Sequence, residues 1–266
     1  MTDQQPFQPL GPPPAADAPP PAPPSEPPPG TQPDVPFWGY LDLAVFIGMA
    51  IPCLLLGMGL VRLLEVVARF HPDNRAAEQL PGQFVGYVLM FAGLRLLFRW
   101  QYGRPFWRSL GWTALRMPLL LVVIAGLLTA FGVSGVSVLL QTPNTSNPMT
   151  QMLQDRASVI LIAIFGVTLG PLFEELAFRG FLQPLLVRSL GAVPGVLLAS
   201  LPFGLLHFQE YGNSWRHVVL ISLAGAAFGA MRHLTGSTRA STLMHASYNA
   251  LFFFALLAQR GQAPHS

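Results

Sequence analysis

Two adjacent glutamates, Glu174 and Glu175, close an uncharged run over 157–173, and Arg179 follows the second by four residues. On a helix, Glu175 and Arg179 share one face in the favourable Glu-before-Arg order and neutralise each other. Glu174 lies about 100° around that helix and keeps no local partner. A semi-buried carboxylate of this kind is the state in which a glutamate serves as general base. The plainer alternative is a pair of acids resting among headgroups at a helix end. Two later stretches bear on that choice. "FGLLH" sets Phe203 and His207 at i and i+4, and "HASYN" does the same for His245 and Asn249. One histidine in apolar surroundings usually reads as a packed core residue. Two of them plus an unpaired glutamate, on three separate segments, read as chemistry. Imidazole and carboxylate form the ligand set of a divalent metal, and a neighbouring carboxylate is the usual base for activating water. In HExxH, base and ligands share one helix; here the site has to be assembled across helices.

The elements that must do this are membrane spans. The chain has 266 residues, 52% hydrophobic and 10% charged, against about a quarter charged in soluble domains. Uncharged runs cover 43–61, 79–94, 117–154, 157–173, 189–209, 217–231 and 240–259, and a spanning helix needs roughly 20 mostly apolar residues. The pattern predicts an all-α, polytopic bundle of about seven spans, near 40–66, 80–98, 116–140, 157–178, 191–208, 215–233 and 240–259. The domain reading is a Pro-rich tail over 1–36, accessory spans over 37–152 and a catalytic core over 153–260. Residues 1–36 hold fifteen prolines, four acids and no arginine, the composition of a disordered tail. It reads as a spacer first and as a ligand for a proline-binding partner second. The basic residues form no run, which excludes a nucleic-acid partner.

In order, "EELAFRG" (Glu174, Glu175, Phe178, Arg179), "FGLLH" (Phe203, His207) and "HASYN" (His245, Asn249) match the motifs EExxxR, FxxxH and HxxxN/D. Residues 155–258 thereby resemble the CAAX protease and bacteriocin-processing (CPBP, or Abi) family of intramembrane proteases. The resemblance implies a helical core with a cavity in the membrane. It also implies hydrolysis of a peptide bond in a peptide or protein substrate at the bilayer, as in the endopeptidases that remove the last three residues of prenylated proteins or in bacteriocin processing and immunity. Carried over, Glu174 activates water, His207 and His245 bind that water or a metal, Asn249 stabilises the oxyanion, and Glu175, Phe178, Arg179 and Phe203 support them. For the cofactor, the resemblance leaves zinc on His207 and His245 and a metal-independent glutamate mechanism both open. Two other classes remain as alternatives: a proton-coupled transporter, since buried Glu and His also build proton relays, and a catalytically silent adaptor.

Other signals concern the scaffold. The arginine bias of the loops favours a cytoplasmic N-terminus in a cell-membrane protein. "GAAFG", with Gly225 and Gly229, is a GxxxG face for close helix packing. Pro184 and Pro202 suggest kinks that open a cavity. Trp38, Trp100, Trp107, Trp112 and Trp215 fall near span ends, as an aromatic belt requires. One tension stands: with seven simple spans, His207 sits about 22 Å along its helix, far from Glu174. The fifth helix therefore starts deeper than drawn, or segment 180–200 folds back within the membrane.

Overall fold

The structure, a computed structural model, describes residues 36–143, 151–153 and 155–261. All but one residue of the expected Pro-rich tail lies outside these. Among the described residues the regular structure is entirely helical. The helices are α1 (Tyr40–Ala68), α2 (Arg75–Tyr102), the single turn α3 (Phe106–Ser109) and α4 (Leu119–Leu139). They continue with α5 (Arg156–Leu190), α6 (Ala192–Leu206), α7 (Trp215–Thr235) and α8 (Thr238–Gly261). Six are long and apolar enough to cross a membrane. The expected fifth span, α6, has 15 residues, about 22 Å of helix against a hydrocarbon core of about 30 Å.

Local sequence sets the ends. Asn74 Oδ1 accepts from the Ala77 amide at 2.9 Å to start α2, and Asp155 Oδ1 accepts from the Ser158 amide at 2.9 Å to start α5. Between α5 and α6 only Gly191 intervenes, at φ 88°, a left-handed conformation that a side chain resists. This single-residue reversal makes α5 and α6 a tight hairpin.

In a bilayer the lipid tails are as apolar as the helices, so association depends on close packing and interhelical hydrogen bonds. The α1–α2 pair follows that rule. A Cβ on Gly82 would lie 2.7 Å from Met58 Sδ, and one on Gly86 would lie 2.8 Å from Leu54 Cα. The two helices touch through their backbones there. Aromatic packing then ties this pair to α5: Trp38 stacks on Phe98 and Phe181, while Phe46 and Phe91 close around them. Trp38 is buried and donates to the Phe181 carbonyl at 3.1 Å, so it leaves the expected belt and becomes a core anchor. Trp100, Trp107 and Trp215 remain exposed.

The α5 helix departs most from expectation. It runs 35 residues, well past the 178 boundary, and contains two π-helical stretches, Ile164–Leu169 and Leu176–Leu182. These flank the regular turn Gly170–Glu175, which carries both glutamates. Such widened turns recur at functional sites, because they displace side chains from the regular 3.6-residue register.

Candidate active site

The α5–α6 hairpin resolves the depth problem. Glu174 lies 17 residues before Gly191, and His207 lies 16 after it. The two arms differ by one residue, so a reversal at Gly191 returns His207 close to the level of Glu174. Phe203 and Arg179 mirror each other in the same way, 12 residues from the turn on either side, and the Arg179 guanidinium sits 4.4 Å from the Phe203 ring centroid. The α7–α8 turn does this again. Phe228 and His245 are equidistant from Gly236–Ser237, and their rings stack at 4.4 Å.

At the centre is a buried ion pair. Arg179 Nη1 donates to Glu175 Oε1 at 2.8 Å, with the two side chains 1% and 0% exposed. Arg179 Nη2 donates to the Gly225 carbonyl at 2.8 Å. The rings of Phe178, Phe203 and Phe228 surround the guanidinium at 5.8, 4.4 and 5.5 Å, a cation–π setting that compensates part of its lost hydration. One turn on, Gln183 Nε2 donates to the Gly229 carbonyl at 2.9 Å. The GxxxG face of α7 is thus more than a packing surface. Its two carbonyls, four residues apart, receive two side chains of α5 that are also four residues apart. A Cβ on Gly225 would lie 2.8 Å from Phe203 and 2.9 Å from Arg179.

Glu175 Oε1 also accepts from His245 Nδ1 at 3.1 Å. The same carboxylate that pairs with Arg179 therefore orients His245. A carboxylate acceptor fixes the hydrogen on Nδ1, which leaves the Nε2 lone pair of the neutral ring facing the site. His245 Nε2 stands 3.8 Å from Glu174 Oε2, and Glu174 is 29% exposed where Glu175 is sealed. The two glutamates are neighbours in sequence but do not share an environment. His207 repeats the tautomer pattern: Nδ1 donates to the Phe203 carbonyl at 2.8 Å, and Nε2 lies 3.9 Å from Glu210 Oε2. Asn249 gives one amide hydrogen to the Gly166 carbonyl at 2.8 Å. That carbonyl belongs to the first π-helical stretch, where backbone pairing shifts from i+4 to i+5. Among the described residues the second amide hydrogen of Asn249 meets no acceptor.

All eight residues singled out from the sequence thus fall in one region, where α5, α6, α7 and α8 meet. Gly225, Gln183, Phe228 and Gly166 also serve it and were not anticipated. The matching four-residue spacings of Arg179/Gln183 and Gly225/Gly229 were the available signal for Gln183 and Gly225. For a metal the fit is poor. The Nε2 atoms of the two imidazoles each face one carboxylate, His245 towards Glu174 and His207 towards Glu210, while His245 Nδ1 is taken by Glu175. Among the described residues, no three His, Cys, Asp or Glu side chains group closely enough to hold an ion.

Residues 156–251 match the model of the Rce1-like family, type II CAAX prenyl endopeptidases. This segment is similar to that family. It starts at the first residue of α5 and ends within α8, so it contains every residue of the cluster and none of α1 to α4. The match accords with the CPBP resemblance of the three motifs, in a chain with six helices, among the described residues, long and apolar enough to cross a membrane. No curated protein and no solved structure matches the chain.

Proposed function

We propose that the protein is an intramembrane endopeptidase in which Glu174 activates water to hydrolyse a peptide bond near the C-terminus of a prenylated substrate. One observation carries this reading. Glu174 Oε2 and His245 Nε2 are two acceptors held 3.8 Å apart. That is too far for a hydrogen bond and suits one shared water. A water donating to both has its lone pairs turned outward, towards a scissile carbonyl.

The rest follows from the residues. As the water oxygen attacks the carbonyl carbon, its proton passes to Glu174. The tetrahedral oxyanion accepts from the free amide hydrogen of Asn249, a neutral donor anchored through its other hydrogen. On collapse the C–N bond breaks, and the proton held on Glu174 leaves with the amine. Glu175, fixed by Arg179, positions His245 without touching the substrate. This order resembles the logic of the serine-protease triad, in which a buried acid sets the tautomer and orientation of a histidine. The His207 Nε2 lone pair offers a second acceptor at the mouth of the site.

We further propose that the end of the bundle bearing Pro36 faces the cytoplasm. The helices alternate in direction, so this end collects Arg99, Arg104, Arg108, Arg116, Arg188, Arg232 and Arg239. The opposite end carries Arg69, Arg75, Arg156, Arg216 and Arg260. The excess is modest and has the sign that the positive-inside rule requires.

The test uses the full chain purified in detergent, a farnesylated peptide ending in a CAAX sequence, and mass spectrometry of the products. Release of the C-terminal tripeptide is expected, with the unprenylated peptide cleaved more slowly. A chelator arm addresses the zinc expectation: cleavage that survives chelation favours the glutamate mechanism, and cleavage restored by added zinc favours the metal. An intact peptide after prolonged incubation overturns the reading.

A further inference from the structure

The family match begins at residue 156, yet α2 reaches the same site. Its Phe84, Tyr87 and Phe91 recur at i, i+3 and i+7 and all pack on Phe173, the residue before Glu174, at ring-centroid distances of 5.9, 5.2 and 5.5 Å. Tyr87 also stacks on Phe165 at 6.2 Å. It therefore sits where the aromatic cluster of α1, α2 and α5 meets the cluster of α2, α5 and α8. The phenol is within electrostatic reach of both Glu174 and Glu210. Of the three residues α2 lays on Phe173, only Tyr87 is polar.

Its hydrogen bonding is lopsided. Gln83 Nε2 donates to the Tyr87 oxygen at 2.9 Å, so the phenol is used as an acceptor. Its own hydrogen finds no acceptor among the described residues. A partly buried O–H at membrane depth stays unbonded only at a free-energy cost, so this donor calls for an acceptor that the described residues do not supply. Gln83 and Tyr87 each directly follow a glycine of the α1 contact, Gly82 and Gly86. The pair is therefore mounted on a part of α2 that packs closely against α1.

We propose that Tyr87 is a substrate-binding residue: its hydroxyl donates to a backbone carbonyl of the bound peptide, with Gln83 as the positioning residue that holds the phenol oxygen. Helix α2 then forms one wall of the substrate site, although it lies outside the Rce1-like segment. The inference rests on the endopeptidase reading, and its test keeps the two apart.

Tyr87→Phe removes one oxygen and leaves the aromatic packing in place. With the farnesylated CAAX peptide, KM should rise about three- to tenfold, the value of one neutral hydrogen bond. kcat should stay within about twofold, as expected when uniform binding is lost. The thermal midpoint should not move. Gln83→Leu should give a smaller rise in KM, and Tyr87→Phe with Gln83→Leu should be no worse than Tyr87→Phe alone, because Gln83 acts through the phenol. In parallel, binding of a fluorescent version of the peptide is measured on Glu174→Gln, with and without Tyr87→Phe. That arm does not need turnover, so a failure of the protease reading leaves it intact. A wild-type KM in Tyr87→Phe, or equal peptide binding by the two Glu174→Gln proteins, overturns the proposal.

Discussion

Replacing Arg179 by Met probes the packed centre of the molecule. Met fills much of the same space, so the cost is mainly electrostatic. The change deletes the 2.8 Å bonds to Glu175 and to the Gly225 carbonyl and strands a carboxylate that is 0% exposed. Stranding one partner of a buried pair costs about 3–5 kcal/mol, which corresponds to a midpoint drop of roughly 6–20 °C for a chain of this size. Neutralising the other partner as well should recover most of that loss, since a buried pair replaced by neutral groups of similar volume is often near neutral. The double variant Glu175→Gln with Arg179→Met should therefore melt within about 2 kcal/mol of wild type. It should still turn over at least tenfold more slowly, because His245 loses the carboxylate that orients it. The assay is thermal unfolding in one detergent, followed by peptide cleavage on the same preparations. An Arg179→Met protein as stable as wild type, or a double variant no better than the single, would refute the idea that a stranded Glu175 charge sets the cost.

Asn249→Ala should lower kcat by about 10²–10³-fold with little change in KM, as read from initial rates over a substrate series. Gly225→Ala should cost about 1–3 kcal/mol by overpacking and lower activity as well, since its Cβ would press on Phe203 and Arg179; a stability scan paired with the cleavage assay checks both. Deleting residues 1–33 should leave cleavage in vitro within about threefold of wild type, less than 1 kcal/mol of barrier, because every residue of the proposed site lies after position 80.

The motifs were readable from spacing alone wherever a contact lies within one helix. Glu175 with Arg179 is an i,i+4 pair in sequence and in space, and so is the bond from His207 to the Phe203 carbonyl. Contacts between helices were much less legible. Counting uncharged runs ended the fourth span at 178 because Arg179 is charged. Its charge is met by Glu175 and by three aromatic rings, so the helix continues to Leu190. Moving that boundary also moves the reversal to Gly191, and nearly equal arms on either side then bring His207 close to the level of Glu174. The shared use of Glu175 by Arg179 and His245 had no local signature, since it joins positions 70 residues apart. The π-helical stretches were invisible for a related reason: hydrophobic periodicity does not register one extra residue in a turn when nearly every face is apolar.

Glu174→Gln tests the central claim most directly. The amide keeps the shape of the side chain and its place 3.8 Å from His245 but cannot take a proton from water. Both proteins should fold, bind the farnesylated peptide with similar affinity and melt alike. Only wild type should release the C-terminal tripeptide, with the variant slower by at least about 10²-fold. Near-normal release by Glu174→Gln would remove Glu174 from the chemistry and contradict the account.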